Sequence, residues 1–418
     1  MPARPLRRCV AVALVLACLL IPEAASSAPA SRDAMKAGEY GSGPEAWSVD
    51  GAFAVSGVGW SDVPGGHWAK KAIDYVAGSN DWMFDYKANE DGTYPFRPKR
   101  LESRQLFARA LFRAFGKGLP QDPNLQFPDL ASEDNFFTSA NVAVSAGWME
   151  TEESGAFRPT EPVTTREVHR ALVLALGLGD LVAGAEALHL RDGTPIETPA
   201  GFGTLLLGMR LGLRYNHGDE SLDVGPDSPL PRAEVAWSLY WAATAPSWVR
   251  DSLARYATME IPNLGPKLLA VVEFATEYVG YPYVWGGEWH ESTTSGYCCG
   301  SQPVGGFDCS GITWWVMKAS VSGWDNTPPR PYAGWSLPER TSATMSAVGK
   351  KVAFKDLRAG DLMFYDGNGD GRVDHVNTYV GNGWSIDSGS SNAGVTFTYV
   401  KGTWYQDHFK HGRHIMGK

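Results

Sequence analysis

Apolar residues recur at helical spacing three times in the first 250 residues, each time after a loop rich in glycine or proline. The apolar stretches are Leu106–Phe115, Val168–Leu176 and Val235–Ala242, and they are opened by Arg104, Arg166 and Arg232, which lie 62 and 66 residues apart. Such a period predicts stacked helical units, because one unit cannot bury its apolar face alone. We therefore expect an all-α domain of three repeats, residues 60–120, 121–180 and 181–250.

The pattern changes after the third repeat. Ile261–Pro266 is rich in breakers and predicts that residues 251–266 form a linker. Lys267–Val279 then carries apolar residues on one helical face, whereas His375 begins an alternating run that predicts a strand. Helix and strand signals within one segment predict that residues 267–418 form an α+β domain.

The N-terminus has the pattern of an export signal. Three arginines in the first eight residues precede the apolar run Val10–Ile21, and small residues follow up to Ala30. The apolar run is too short to span a bilayer as a permanent helix, and no later segment predicts a transmembrane helix. We expect residues 1–30 to be a signal peptide and residues 31–59, rich in Gly, Ala and Ser, to be a flexible leader.

Composition and charge restrict the function. The 418-residue chain is 44% hydrophobic and 20% charged, which is typical of globular domains with more than one core. The formal net charge of −9 argues against a nucleic-acid partner. Beyond the signal peptide only Cys298, Cys299 and Cys309 remain, too few for a disulfide scaffold. The vicinal pair could form a disulfide, remain as inert free thiols, cap Cys309 reversibly or bind zinc with His290.

Cys309 is the strongest candidate for catalysis. The apolar run after Ser310 predicts a helix that begins here, and the positive end of a helix favours a thiolate. His375 could supply the imidazole that accepts the thiol proton. Gly381–Gly383 predicts a hairpin after the histidine strand. A three-residue loop would place Asp387 on the histidine's face, whereas a two-residue Asn-Gly turn would place Ser388 there.

These residues resemble those of NlpC-type peptidoglycan endopeptidases, which are papain-like cysteine peptidases. The resemblance covers residues 267–418 and rests on five motifs in the family's order: Tyr283–Gly287, Phe307–Gly311, Arg340–Ser342, Ala359–Leu362 and Asp374–Val376. It implies that Cys309 is the nucleophile and His375 the general base. It also implies that Asp387 is the third polar residue, where the family usually has His, Asn or Gln. The Cys309 N–H and the Tyr283 hydroxyl would stabilise the oxyanion.

The family resemblance also implies a substrate. It indicates hydrolysis of a peptide bond in the peptidoglycan stem, between D-glutamate and the diamino acid, with no required cofactor. Two alternatives stay open: an amidase of the same fold that cuts the sugar–peptide amide, and a catalytically retired wall-binding protein.

The first half resembles three S-layer homology repeats. The signature is clearest in Val163–Glu167 and Pro231–Glu234 and looser in Glu102–Gln105, and the third repeat is degenerate. The resemblance implies a secreted, cell-wall-associated protein that binds an anionic secondary cell-wall polysaccharide through Arg104, Arg166, Arg232 and Trp68. Thr164 and Glu167 have capping-box spacing, which places Arg166 in the first helical turn. The alternative for each arginine is an internal pair with a carboxylate.

An acidic segment precedes the histidine. Asp366, Asn368, Asp370 and Asp374, with glycine at position 371, match the start of an EF-hand loop, although Asn377 replaces the bidentate glutamate. The segment therefore predicts weak binding of a structural calcium ion. The alternative is an ordinary hairpin turn, for which Asp-Gly and Asn-Gly are common residues.

Overall fold

The computed structural model describes residues 59–294, 296–298, 300–317, 337 and 339–416. The predicted signal peptide and almost all of the predicted leader lie outside the described residues, as does Cys299. Within the described ranges, no helix is both long enough and apolar enough to cross a membrane.

Helices dominate the first half. They are α1 (Lys70–Ile73), α2 (Arg104–Leu111), α3 (Phe137–Ser145), α4 (Thr165–Ala175), α5 (Gly179–Glu186), α6 (Phe202–Leu211), α7 (Arg232–Thr244) and α8 (Ser247–Ser252), with β1 (His189–Leu190) between α5 and α6. π-Helical turns extend α1 to Ser79 and α2 to Gly116, and 3-10 turns span Glu220–Leu222 and Leu253–Thr258. The three predicted apolar stretches lie in α2 with its extension, α4 and α7, which confirms the helical reading.

Short backbone bridges join the three repeats into a ring. Ser103 bridges Pro162 of the second repeat, Thr164 bridges Pro229 of the third, and Pro231 of the third bridges Leu101 of the first. Each bridge lies just before α2, α4 or α7. No repeat can therefore adopt this arrangement alone, because each helix start is held by the loop of another repeat.

The first two repeats also share a loop construction. Asp62 accepts hydrogen bonds from the backbone N–H groups of Phe96 and Arg97, and Asp129 makes the same two bonds one repeat later. Arg97 and its counterpart Arg158 both have positive φ angles, 61° and 59°. The first two repeats therefore have the same local structure at this loop.

The second half is built around an antiparallel sheet. Its helices are α9 (Pro266–Thr276), α10 (Cys309–Met317), α11 (Ser342–Met345) and α12 (Trp404–Asp407), and its strands are β2 (Glu260–Ile261), β3 (Glu288–Trp289), β4 (Gly306–Phe307), β5 (Lys350–Val352), β6 (Leu362–Tyr365), β7 (His375–Gly381), β8 (Trp384–Gly389), β9 (Gly394–Tyr399) and β10 (Phe409–His414). A 3-10 turn spans Phe354–Asp356. Six strands form a sheet in the order β5-β10-β6-β7-β8-β9, and α10 packs on β7 and β8. This is the α+β domain that the pattern predicted.

The third repeat covers the β9 edge of this sheet. Phe202 of α6 packs against Phe397 of β9, with ring centroids 5.9 Å apart. The buried Arg214 donates to the carbonyl of Gly280 at 3.0 Å. An uncovered edge strand would expose apolar side chains, and α6 packs over those of β9. One continuous hydrophobic core therefore spans the two halves.

The predicted linker, residues 251–266, is packed into this joint core. It contains the 3-10 turn after α8 and then β2, which pairs in parallel with β1. Tyr256 is buried and donates its hydroxyl to the carbonyl of Phe397 at 2.8 Å. The breaker residues end these short elements as expected. The apolar residues between them are buried against the other elements, so this segment is part of the interface.

Candidate active site

Cys309 is the first residue of α10, as the sequence predicted. Its thiol is free and buried. Asp308 precedes it and accepts hydrogen bonds from the backbone N–H of Gly311 and from the hydroxyl of Ser310, the latter at 3.0 Å. Asp308 thus caps the helix, whose remaining N–H groups point towards the thiol end. This position places the thiol at the positive end of the helix.

A buried arginine compensates the acidic groups around this helix start. Arg340 donates to Asp308 at 3.2 Å, to Glu288 at 2.5 Å and to the Ser310 hydroxyl at 2.8 Å. Burial lowers the pKa of Arg340, but Asp308 and Glu288 outweigh it and hold that pKa above its ordinary value. Without the arginine, two buried carboxylates would oppose a thiolate at Cys309. The Arg340–Ser342 motif signalled this residue, although no role followed from the sequence.

His375 lies at the start of β7 and faces both Cys309 and Asp387. Its Nε2 is 2.9 Å from Oδ1 of Asp387, and both side chains are buried. Burial lowers the pKa of His375, but the charges of Asp387 and Cys309 and hydrogen bonds to both raise it well above its usual value. Since Nε2 is used by the carboxylate, Nδ1 is left for the thiol. The site therefore favours the imidazolium form of His375 beside the thiol.

A β-bulge decides which residue orients the histidine. The hairpin turn is the two-residue Asn382-Gly383 turn, both with positive φ, and Gly381 pairs with Trp384. By itself this turn would place Ser388 on the histidine's face. The register shifts between Tyr379 and Gly381, and the shift brings Asp387 to that face instead. Ser388 donates its hydroxyl to the carbonyl of Phe307 at 2.7 Å.

Further polar residues hold the carboxylate of Asp387. Tyr405 donates its hydroxyl to Oδ2 at 2.6 Å, and Asn392 donates its amide to the same oxygen at 3.2 Å. Asn377 lies opposite Asp387 on β7. In the amide orientation that satisfies both of its polar atoms, it donates to Oδ1 at 2.8 Å and lies 2.8 Å from Nε2 of His375. Sequence reasoning missed these residues. Only Asn377 carried a signal, since it lies two positions after the histidine on one strand face.

Tyr283 lies beside the segment that leads to the thiol. It is buried, its backbone N–H donates to the carbonyl of Ala393 at 3.2 Å, and it bridges Phe307, two residues before Cys309. Its role at the oxyanion stays a prediction. Nearby Trp285 has 61% of its surface exposed.

Two of the three repeat arginines are buried and paired internally. Arg232 donates to Glu102 at 2.6 Å and to Asp85 at 3.0 Å, so the third repeat is tied to the first. Arg104 donates to Glu167 and to the carbonyl of Phe157 at 2.7 Å, which ties the first repeat to the second. The structure thus gives both the internal pairing that the sequence left as an alternative.

Arg166 occupies a different position. Its backbone N–H donates to the carbonyl of Pro226. The equivalent bonds in the other two repeats run from the N–H of Gln105 to the carbonyl of Pro159 and from the N–H of Ala233 to the carbonyl of Pro98. Thr165 is therefore the counterpart of the two buried arginines, and Arg166 is displaced by one residue. It lies at the surface and pairs with Asp227 at 2.6 and 3.1 Å. The capping box of α4 that placed it in the first turn is confirmed.

Trp68, the fourth predicted wall-polymer residue, packs against the third repeat. Its ring stacks on Tyr215 with centroids 4.7 Å apart and meets His217 edge-on at 4.5 Å. It is half-buried.

The acidic loop before His375 is closed by its own backbone. Asp374 accepts the N–H of Gly367 at 2.9 Å, and Asp366 accepts the N–H of Gly371 at 2.9 Å and the ammonium of Lys410 at 3.3 Å. Asn368 and Asp370 each accept an N–H two residues further on. In the part of the chain that the structure describes, no group of three or more His, Cys, Asp or Glu side chains could hold a metal ion. The loop is thus arranged as a hairpin turn in which backbone donors and Lys410 hold several of the oxygens, whereas Oδ1 of Asp366 is buried without a hydrogen-bond partner.

Cys298 is disulfide-bonded. This excludes free-thiol and zinc-ligand roles for Cys298. The other member of the vicinal pair, Cys299, lies outside the described residues.

A thiol at a helix start, with an imidazole held by a carboxylate, has the layout of an activated nucleophile and its base. Residues 280–414 match the model of the NlpC/P60 family, so the chain carries an NlpC/P60 domain.

Similar proteins act on the bacterial cell wall. The chain is 31% identical over 188 residues to the bifunctional muramidase/DL-endopeptidase CwlT of Bacillus subtilis, a match that covers 43% of this chain and 47% of CwlT. It is 29% identical over 262 residues to the peptidoglycan endopeptidase RipB of Mycobacterium tuberculosis, covering 63% of this chain and 87% of RipB. A solved structure of the peptidoglycan hydrolase RipB has 25% identity, covers 40% of this chain and 79% of that one, and gives a TM-score of 0.27. The chain thus spans about half the length of CwlT.

Proposed function

We propose that this protein is an exported, cell-wall-associated cysteine peptidase that hydrolyses a peptide bond in the stem of peptidoglycan. The observation that carries the proposal is the contact of His375 with two residues: Asp387 on β8, and Cys309 at the start of α10. The relatives named as peptidoglycan endopeptidases supply the substrate class. A retired binding module would not need the free thiol and its buried partners.

The geometry suggests an order of events. His375 takes the proton of Cys309 at Nδ1, and the thiolate attacks the carbonyl carbon of the scissile bond. The backbone N–H of Cys309 and the Tyr283 hydroxyl would stabilise the oxyanion. The imidazolium then gives its proton to the leaving amine, and a thioester forms. Water attacks the thioester with His375 as base, which releases the carboxylate and restores the thiol.

The bond that we propose lies between D-glutamate and the following diamino acid. CwlT is named a DL-endopeptidase, which favours this bond over the sugar–peptide amide. The two products differ in mass: an endopeptidase leaves a dipeptide on the sugar, whereas an amidase leaves a bare lactyl group. Mass analysis of the fragments released from purified peptidoglycan therefore decides between them.

The test of the catalytic proposal uses the full chain. We expect Cys309→Ala and His375→Gln to abolish hydrolysis of purified sacculi, whereas the control His408→Gln should keep wild-type activity. His408 lies in the same domain but stacks on Trp404, with ring centroids 4.3 Å apart. Unchanged melting temperatures show that the folds are intact. Hydrolysis by Cys309→Ala at the wild-type rate would refute a cysteine peptidase.

Export and wall retention are the second part of the proposal. The N-terminal sequence pattern supports export, and the repeat signatures support binding of an anionic wall polysaccharide by S-layer homology repeats. Among the repeat arginines, Arg166 is the one at the surface, so it is the best candidate for contacting that polymer.

Wall retention is tested with the inactive Cys309→Ala full chain, because the two halves share one core. Co-sedimentation with sacculi should fall as salt is raised, since the proposed ligand is anionic. It should also weaken in Arg166→Ala but not in the control Arg191→Ala, another exposed arginine of the first half. Equal co-sedimentation of both variants, or with sacculi stripped of anionic polymer, would remove the anchor proposal.

A further inference from the structure

An arginine of the first half reaches the carboxylate that holds the catalytic histidine. Arg210 lies near the end of α6, in the third repeat, and its guanidinium donates to the side-chain oxygen of Asn392 and to the Thr398 hydroxyl at 3.4 Å. Asn392 is buried in the loop between β8 and β9. Its amide nitrogen donates to Oδ2 of Asp387 at 3.2 Å. A continuous set of hydrogen bonds therefore runs from the third repeat to His375.

The direction of these hydrogen bonds matters. A carboxamide has one accepting oxygen and one donating nitrogen, and a guanidinium can only donate. The contact with Arg210 therefore turns the amide oxygen of Asn392 towards Arg210 and the amide nitrogen towards Asp387. In the opposite orientation the amide oxygen would face a carboxylate oxygen, and the buried amide nitrogen would face a cation.

The same arrangement divides the two carboxylate oxygens of Asp387. Oδ2 accepts from Tyr405 and Asn392, which leaves Oδ1 for His375. Because all of these side chains except Arg210 are buried, a misplaced donor cannot be replaced easily by water. The orientation of the imidazole thus depends on a residue outside the papain-like domain.

We propose that Arg210 is a positioning residue: it orients Asn392, and through it Asp387 and His375, so that the third repeat completes the active site. The inference rests on the proposed cysteine-peptidase function. A contact that only stabilised the interface between the halves would leave the pKa of His375 unchanged. The positioning role instead predicts that loss of Arg210 changes this pKa and that loss of other contacts between the halves does not.

A second arginine–asparagine contact between the halves provides the control. Arg191 of the first half donates to the side-chain oxygen of Asn382 at 3.2 Å, in the turn at the far end of the β7–β8 hairpin. Arg210→Met and Arg191→Met each remove one positive charge and one arginine–asparagine contact, and Arg191→Met also removes an ion pair with Glu260. A cavity of about 110 Å³ borders Arg210 and Tyr405, so methionine fits at position 210 without overpacking.

The decisive measurement is the titration of the His375 imidazole by NMR in the full chain, which needs no substrate. The groups that face this ring are Cys309, Asp387 and Asn377, and the rings of Tyr365 and Tyr405 lie 5.6 and 6.2 Å away. We expect Arg210→Met to lower the pKa of His375, because a misoriented Asp387 stabilises the imidazolium less. We also expect kcat to fall about tenfold with KM changed less than about twofold. Arg191→Met should alter neither.

A double-mutant cycle separates positioning from bracing. If Arg210 acts through Asn392, the Asn392→Leu variant has already lost the influence of Arg210 on the pKa of His375. Adding Arg210→Met to that variant should then leave the His375 titration unchanged. Arg210→Lys retains a cationic donor and should recover part of the loss. If Arg210→Met does not fold, Arg210→Lys and Asn392→Leu carry the same comparison.

Several results would overturn the inference. They are a wild-type titration of His375 in folded Arg210→Met, equal effects of the Arg210 and Arg191 variants, and additive effects in the cycle. The proposed function fails separately: a protein whose His375 responds as expected but which leaves peptidoglycan intact would refute the peptidase and keep the positioning role.

Discussion

Replacing Arg232 with methionine should destabilise the protein far more than the same change at Arg166. Arg232 has no exposed surface and donates to Glu102, Asp85 and the carbonyls of Phe96 and Met83. Arg166 lies at the surface and pairs with an Asp227 side chain that is 64% exposed. The two substitutions remove the same guanidinium from the starts of equivalent helices. The difference between the two losses of stability therefore measures the effect of burying the ion pair.

The magnitude follows from what each arginine leaves behind. Loss of Arg232 leaves the fully buried Glu102 without its ion-pair partner, whereas Asp85 keeps its contact with Arg109. Removing one partner of a buried ion pair costs about 3–5 kcal/mol, while an exposed pair contributes about 0–1 kcal/mol. At about 2–4 °C per kcal/mol, Arg232→Met should lower the melting temperature by roughly 6–20 °C and Arg166→Met by no more than about 4 °C.

The assay is thermal unfolding of the full chain, followed by circular dichroism, together with urea titration at fixed temperature. Glu102→Leu in the Arg232→Met background should restore part of the loss, because it removes the stranded carboxylate. Melting of the two arginine variants within about 2 °C of each other would refute the reasoning. The result also bears on wall binding, since reduced retention of an unstable Arg232 variant would not identify a ligand contact.

Three further predictions concern the catalytic half. Asp387→Asn should lower kcat by about 10–100-fold, less than loss of Cys309, because the amide can still accept from the imidazole but carries no charge; a wild-type rate would contradict this. The pKa of His375 is raised because Asp387 and Cys309 outweigh burial, so the alkaline limb of the pH–rate profile should lie above pH 6.5 or so and move down in Asp387→Asn. By the same sign, the stability contributed by protonated His375 is complete below its unfolded pKa of about 6.5 and is lost as pH rises through the folded pKa. Millimolar calcium and chelator should give the same melting temperature, and a calcium-dependent gain that Asp370→Ala removes would show that the loop binds the ion.

Local features of the fold could be read from the sequence. The start of α10 at Cys309 depends on the cap Asp308, whose carboxylate accepts from an N–H three residues further on, and the capping box of α4 lies within four residues. The Asn382-Gly383 turn likewise needs only residues that accept positive φ. In each of these the interacting groups are sequence neighbours, so the pattern of residues carries the physical cause.

The sequence therefore determined the position of the thiol at a helix start, the histidine strand and the repeat period. The tertiary structure decided which residue meets that histidine, because a bulge reverses what the turn alone implies. It also decided that Arg104 and Arg232 are internal ties, since their burial depends on carboxylates at least 60 residues away. Arg210 reaches Asn392 across 182 residues of sequence. Burial and long-range pairing follow from how elements pack together, and no local spacing encodes that information.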